Sequence, residues 1–407
     1  MTWTLLEHGH VTTPEGWQAG VAACGIKYAG RTDLALLVSE RPCAAAALFT
    51  TNRVVSAHIH YDRAVLSRNA TSIRAVLINA GSANACTGEV GIAAAGATAR
   101  EVERTLSLPG ESTLVMSTGV IGMPLPVDRV VQGIAEASQH LDAAHGPDAA
   151  RAMMTTDTRP KYCAVRVELP GGEHIHIGGM VKGAGMVHPN MATMLCVVTT
   201  DAAVEPAVLD AALRFAADRS FHCISIDGDT STNDTVLALA NGGAEHPSIP
   251  TIESAEGQAF LAGLVEVCQR LAREVVRDGE GATRLVTITV RGAVSDADAR
   301  RAAMAVARSP LVKTAIFGAD PNWGRVVCAL GYSGATVDPE RVVLHFGTVQ
   351  VFAHGVPQAF DEPAAHRVLS APEVLMVADL GMGPGTATAW TCDFSYEYVR
   401  INAEYRT

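Results

Sequence analysis

Apolar and polar positions along the chain follow two different periods. Runs that are apolar throughout, or apolar at every second residue, occur at 34–39, 74–79, 113–116, 164–169, 174–177, 194–199, 223–227 and 285–290. Gly, Asn, Asp and Pro punctuate them, and they predict strands. Between them the period lengthens. Leu261, Leu264, Cys268, Leu271 and Val275 recur at three or four residues, as do Val208, Leu209, Ala212, Leu213 and Ala216. Both sets predict helices with one buried face, and the Ala-rich stretch 91–106 predicts a third. Strands and helices interspersed in this way predict an α/β or α+β layered fold, without fixing the order of strands. The polar stretch 139–150 reads as a connector between two sub-regions.

Composition narrows the class. At 407 residues the chain exceeds one ordinary domain, and with 48% hydrophobic and 18% charged residues it can bury a large core. The formal net charge of −11 disfavours nucleic acid and anionic membrane surfaces as partners. The longest apolar stretches, such as 44–49, are far too short to span a membrane. Glu7, His8, His10, Pro14 and Glu15 break the amino-terminal segment, so no export signal is expected. Nine cysteines stand singly, with no C-x-x-C, which predicts reduced thiols and a cytoplasmic location.

Most candidate chemistry fails on spacing. The pairs His8/His10, His58/His60 and His174/His176 would each share a strand face, but no third ligand stands at a metal-binding interval, so no metal is expected. The acidic run 227–234 has Thr232 where a calcium loop needs Gly and Ala238 where it needs Glu. The Gly-rich segments 178–185 and 381–385 lack phosphate-cradling endings, so no nucleotide cofactor is implied. No G-x-S-x-G or S-x-x-K nucleophile signature occurs.

The segment Lys182-Gly-Ala-Gly-Met-Val-His-Pro-Asn-Met-Ala-Thr-Met-Leu195 leaves two readings open. One is a Gly-rich loop entering a core strand at Thr193. The other is a threonine nucleophile. A threonine that begins a chain can use its own α-amine, with a reference pKa of about 7.7–8.0, as the base. An internal Thr193 has only an amide nitrogen, but cleavage of the Ala192–Thr193 bond would supply the amine. Attack by its Oγ on the Ala192 carbonyl through a five-membered ring is a route to that cleavage, and small neighbours such as Gly185 and Ala192 let the backbone bend.

This segment, at 182–195, resembles the self-cleavage motif of the ornithine acetyltransferase family, the glutamate N-acetyltransferases of arginine biosynthesis. The resemblance runs nearly end to end. It includes Gly25-Ile-Lys27, Phe49-Thr-Thr-Asn-Arg53, Asn84-Ala-Cys-Thr-Gly88, Ser117-Thr-Gly-Val-Ile-Gly122 and Thr155-Thr-Asp-Thr158. It continues through Asp227-Gly-Asp-Thr-Ser-Thr-Asn-Asp-Thr235, Asp278-Gly-Glu-Gly-Ala-Thr283, Val312-Lys-Thr-Ala-Ile-Phe-Gly318, Asp320-Pro-Asn-Trp-Gly-Arg325 and Tyr398-Val-Arg-Ile-Asn-Ala403. Two departures, Ala80 and Ser82 within 79–83 and Arg284 where Lys is usual, touch no expected catalytic atom.

The resemblance implies an α-β-β-α sandwich with a smaller C-terminal region, cleaved into chains 1–192 and 193–407 that fold together. It implies Thr193 as nucleophile, cleavage between Ala192 and Thr193, and Thr118 with Gly119 as the oxyanion hole. It implies substrate binding by Thr155, Lys182, Thr193, Glu280, Asn402 and Thr407. The expected substrates are N-acetylornithine and glutamate, exchanged by a ping-pong route through an acetyl-threonine. Acetyl-CoA stays open as a second donor, and a heterotetramer of two α and two β chains is the expected assembly. Two alternatives remain: a self-cleaving amidase or aminopeptidase that passes the acyl group to water, and an uncleaved amino-acid-binding protein that keeps the fold.

Overall fold

The computed structural model describes residues 3–188 and 194–404. Nine strands form one sheet: β1 Trp3–Leu6, β2 Trp17–Ala22, β3 Leu34–Phe49, β4 Ile73–Ser82, β5 Thr113–Val120, β6 Lys161–Glu168, β7 His174–Lys182, β8 Leu195–Thr200 and β10 Thr235–Ala240. The seven others are β9 Ile224–Ser225, β11 Leu285–Ala293, β12 Val343–Phe346, β13 Val349–Ala353, β14 Val356–Pro357, β15 Glu373–Asp379 and β16 Gly385–Cys392. They form a second sheet in the order β14-β13-β12-β15-β11-β16-β9.

The first sheet doubles over on itself along β3. This strand of 16 residues is interrupted by exposed Glu40, Arg41 and Pro42, and its register against β4 shifts between Val38 and Cys43. Its first half pairs with β2 and β4, and its second half with β10. Side-chain alternation then sorts residues into layers. Ala35, Leu37, Val76, Ile78 and Met116 meet Met180, Val197, Leu237 and Leu239 in one core between the two halves. On one outer face, Cys196, Val198, Val236 and Ala238 pack on the helices Pro206–Ala217 and Ala255–Arg277. On the other, Leu34, Leu36, Ala75 and Leu77 pack on Gly88–Thr105 and Val127–Ser138. The result is the α-β-β-α sandwich, with the second sheet and its helices as the C-terminal region.

The order of strands bears directly on the expected cut. In the sequence β7-β8-β10-β3, two strands from beyond residue 193 lie between two strands from before it. Lys182 at the end of β7 stands opposite Leu195 at the start of β8. The described residues on either side of the expected cut therefore share one hydrogen-bonded sheet and one core.

Three expectations need correction. The stretch 139–150 is no linker: it holds the helix Gly146–Ala152, whose Ala149, Ala150 and Ala152 are fully buried in the inter-sheet core. Of 223–227 only Ile224–Ser225 is strand. His58 and His60 sit on the helix Ala57–Arg68, where residues two apart diverge, and His8 and His10 lie outside any strand. Only His174 and His176 share a strand, β7. Among the described residues no helix is long and apolar enough to cross a membrane.

Candidate active site

The cleft of interest opens where β5 and β7 end. Thr118, Gly119, Thr155, Lys182, Glu280 and Asn402 all line it, around about 620 Å³ of open space. These are all the sequence-predicted site residues that the structure describes, and they come from five separate stretches of chain. Ala192, Thr193 and Thr407 lie outside the described residues.

Each lining residue is placed by a different device. Thr118 and Gly119 close the carboxyl end of β5, in parallel register with Ala80 and Gly81 of β4. Gly119 has φ +132°, and a Cβ there would stand 2.3 Å from the Gly81 carbonyl carbon, so no other residue fits. Thr155 follows the helix Gly146–Ala152 and donates its N–H to Asp157 Oδ2 at 3.0 Å. Glu280 follows the helix Ala255–Arg277, which Ser254 caps through Gly257 N–H. Its backbone N–H reaches Ala184 O at 2.7 Å, and its Oε2 accepts Asn402 Nδ2–H at 2.9 Å. Gly185 makes room for it, because a Cβ there would lie 2.5 Å from the Glu280 carboxylate.

Lys182 and Glu280 are only 3% and 7% exposed, so neither is a solvated loop charge. Lys182 Nζ donates to Thr118 Oγ1 at 3.4 Å. Burial lowers its pKa, with Lys161 adding to the fall, while Asp157, Glu280 and Asp234 oppose it. A second buried lysine, Lys161, bridges Asp157 at 2.6 Å and Asp278 at 2.5 Å. Burial pushes Asp157 upward, but the nearby charges of Lys182 and Lys161, with hydrogen bonds from Lys161 and Thr155 N–H, outweigh it and bring its pKa to about 2. Asp157 Oδ1 also accepts Gly183 N–H at 2.7 Å, so one carboxylate holds the backbone beside both Thr155 and Lys182.

Sequence reasoning missed Asp157, Asn233 and Asp234. Asn233 lines the cleft and donates from Nδ2 to Ala83 O and Ser117 O, both at 2.7 Å, tying β5 to the 83–84 turn. The signal was the acidic run 227–234, discounted once it failed as a calcium loop. That run serves the backbone: Asp227 accepts Met186 N–H at 2.5 Å and Val187 N–H at 2.9 Å. Burial raises its pKa to about 6. Among the described residues no cluster of His, Cys, Asp and Glu has the form of a metal site.

A buried ammonium next to a threonine hydroxyl and a glycine with φ +132° can stabilise negative charge on a carbonyl oxygen. A carboxylate across the cleft can receive an amine. Residues 18–407 match the ArgJ family. The chain is 54% identical over 404 residues to the arginine biosynthesis bifunctional protein ArgJ of Symbiobacterium thermophilum, covering 98% of this chain and 99% of that protein. It is 46% identical over 401 residues to the protein of the same name from Gloeobacter violaceus, covering 98% of each. Among solved structures, an ornithine acetyltransferase complexed with ornithine from Mycobacterium tuberculosis is 35% identical over 48% of this chain and 100% of that one, with a TM-score of 0.42.

Proposed function

This chain belongs to the ArgJ family, an enzyme family of arginine biosynthesis, and on that premise we propose that it moves an acetyl group from N2-acetylornithine to glutamate through an ester on Thr193. The observation that carries this reading is the convergence of Thr118, Gly119, Thr155, Lys182, Glu280 and Asn402 on one cleft, flanked by the two strands that bracket 183–194.

The enzyme first cuts itself between Ala192 and Thr193. Thr193 Oγ then attacks the acetyl carbonyl of N-acetylornithine while the freed α-amine takes its proton. Charge builds on the carbonyl oxygen toward Thr118 and Gly119, with the Lys182 ammonium behind Thr118. The C–N bond breaks, the α-ammonium returns its proton to the departing nitrogen, and ornithine leaves. The amine of glutamate attacks the acetyl ester, and the proton it sheds passes through the α-amine back to Oγ. Glu280 pairs with the side-chain ammonium of ornithine, Thr155, Asn402 and Thr407 contribute hydrogen bonds, and Lys182 attracts the carboxylate. The relatives are named bifunctional, and the second activity proposed for this chain takes acetyl-CoA as another donor to the same threonine.

Isotope exchange tests the scheme. Labelled ornithine incubated with enzyme and unlabelled N-acetylornithine, without glutamate, becomes labelled N-acetylornithine if an acetyl-enzyme forms. Exchange that requires glutamate rules out the ping-pong route. Acetate release equal to transfer favours the hydrolase alternative.

A further inference from the structure

In the reaction proposed above, two substrates whose side chains carry opposite charges meet one nucleophile. Glu280 suits the ammonium of ornithine, and the same carboxylate repels the γ-carboxylate of glutamate. It stands on the β7 side of the cleft, with its N–H on Ala184 O and its carboxylate over Gly185. The glutamate side chain needs a cation at another point. A second recess adjoins the cleft at Gly119 and Thr155, which line both. It lies over the end of β4, at Ala80 and Gly81, and its other walls include Lys27, Arg31 and Asp33. It encloses about 310 Å³ of open space, at the small end of the range for ligand pockets.

The loop that carries Lys27 is fastened at several points. Asp33, 4% exposed, accepts the N–H groups of Cys24 and Ile26, both at 2.6 Å. Ile26 is buried, and a Cβ on Gly81 would stand 2.9 Å from its side chain, so the loop lies against the end of β4. Arg31 donates to Met154 O at 2.5 Å, which ties the loop to the segment leading into Thr155, and Arg129 donates to Gly25 O at 2.6 Å. Asp33 is the one carboxylate among the lining residues, and both its oxygens already take backbone N–H groups. Against it stand the cations Lys27 and Arg31, in a chain of formal net charge −11. Lys27 Nζ lies 5.1 Å from the centre of the Tyr28 ring. An ammonium has three donors, so it can hold a ligand alongside contacts to its own chain.

We infer that this recess is the subsite for the side-chain carboxylate of the acetyl acceptor, with Lys27 as its specificity-determining ligand and Arg31 fixing its wall. The inference rests on the function proposed above. Donor and acceptor then share the oxyanion hole and Lys182 and part at their side chains, the ornithine ammonium going to Glu280 and the glutamate carboxylate to Lys27. The motif Gly25-Ile-Lys27, which has no part in the steps above, thereby acquires one.

The experiment compares acetyl acceptors. Glutamine has the shape of glutamate without its side-chain charge, so wild-type enzyme should prefer glutamate at least about tenfold in kcat/KM. In Lys27→Met the KM for glutamate rises at least about tenfold, kcat changes less than about twofold, and the preference over glutamine falls toward one. Lys27→Gln, which keeps a polar tip, behaves in the same way, and Lys27→Arg retains the preference. Exchange of labelled ornithine into N-acetylornithine, which needs no glutamate, separates the two side-chain subsites: in all three variants it stays within about twofold of wild type. Wild-type enzyme that accepts glutamine as well as glutamate overturns the inference. So does a Lys27→Met that weakens both acceptors alike, or that slows ornithine exchange as much as transfer to glutamate. A Lys27→Met that raises the KM for acetyl-CoA and not that for glutamate assigns the recess to the acyl carrier and overturns it too. Wild-type enzyme without ornithine exchange refutes the proposed function instead, so the two failures are distinguishable.

Discussion

The two sheets use buried charge in opposite ways. In the second, the buried groups Lys313, Asp393 and Asp298 are committed to the chain around them. Lys313 lies under the Phe394 ring and donates to Cys392 O and to Thr391 Oγ1. Asp393 accepts Thr283 N–H at 2.8 Å and Arg284 N–H at 2.9 Å, and Asp298 pairs with Arg301 and accepts Thr336 N–H. At the mouth of the first sheet, two groups keep capacity in reserve. Asp234 leaves one oxygen without a partner among the described residues, and Lys182 makes one long bond, to Thr118. The contrast separates the second sheet from the cleft, where Lys182 keeps donor capacity; an incomplete set of hydrogen bonds does not by itself mark a site, since buried Asp62 on the helix Ala57–Arg68 also leaves Oδ2 without a partner among the described residues.

The sharpest break in that comparison comes from the first sheet. Thr193→Ala is expected to leave one uncut chain with no detectable acetyl transfer, read by gel and by assay. Next, Thr118→Ala removes the hydroxyl that Lys182 Nζ reaches and that the proposed mechanism turns toward the acetyl carbonyl, and should lower kcat about 10²–10³-fold while the melting temperature holds. Lys313→Met then tests the second sheet. It should cost about 2 kcal/mol in denaturant unfolding, because charge-assisted bonds to Thr391 and Cys392 are lost, yet leave self-cleavage and kcat near wild type. A large fall in kcat there would erase the distinction.

The smallest effect is a pH dependence. Asp157 titrates at about 2 in the fold against an ordinary 3.8, so the folded state favours its ionised form. Its stabilisation is present above pH 3.8 and is lost as pH falls from there toward 2. Acid unfolding of Asp157→Asn should therefore differ from wild type above that window and converge with it below. A difference that persists at the acid end contradicts the assigned pairing with Lys161 and the influence of the Lys182 charge.

Periodicity made the helices 206–217 and 255–277 and most strands legible, because their buried faces carry Leu, Val and Ile at fixed steps. It failed at 139–150, where the buried residues are mainly alanines among charges and the apolar signal is weak. The doubling of the first sheet was hidden because 34–39 and 44–49 read as separate segments, and only pairing joins them into β3. Motif resemblance singled out six described residues that line one cleft. It missed Asp157 and Asp234 because an acidic residue in a polar run looks solvated until the fold closes over it. Neither spacing nor composition records that Lys161 pairs with Asp157 or that the Lys182 charge acts on it.

The account stands on Thr193 becoming a chain terminus that carries the acetyl group. Intact mass spectrometry of the purified enzyme, before and after brief exposure to N-acetylornithine, measures both at once. The prediction is two fragments divided between residues 192 and 193, with one added acetyl group on the fragment that begins at Thr193. Active enzyme of a single undivided mass, or an acetyl group on any other residue, would contradict it.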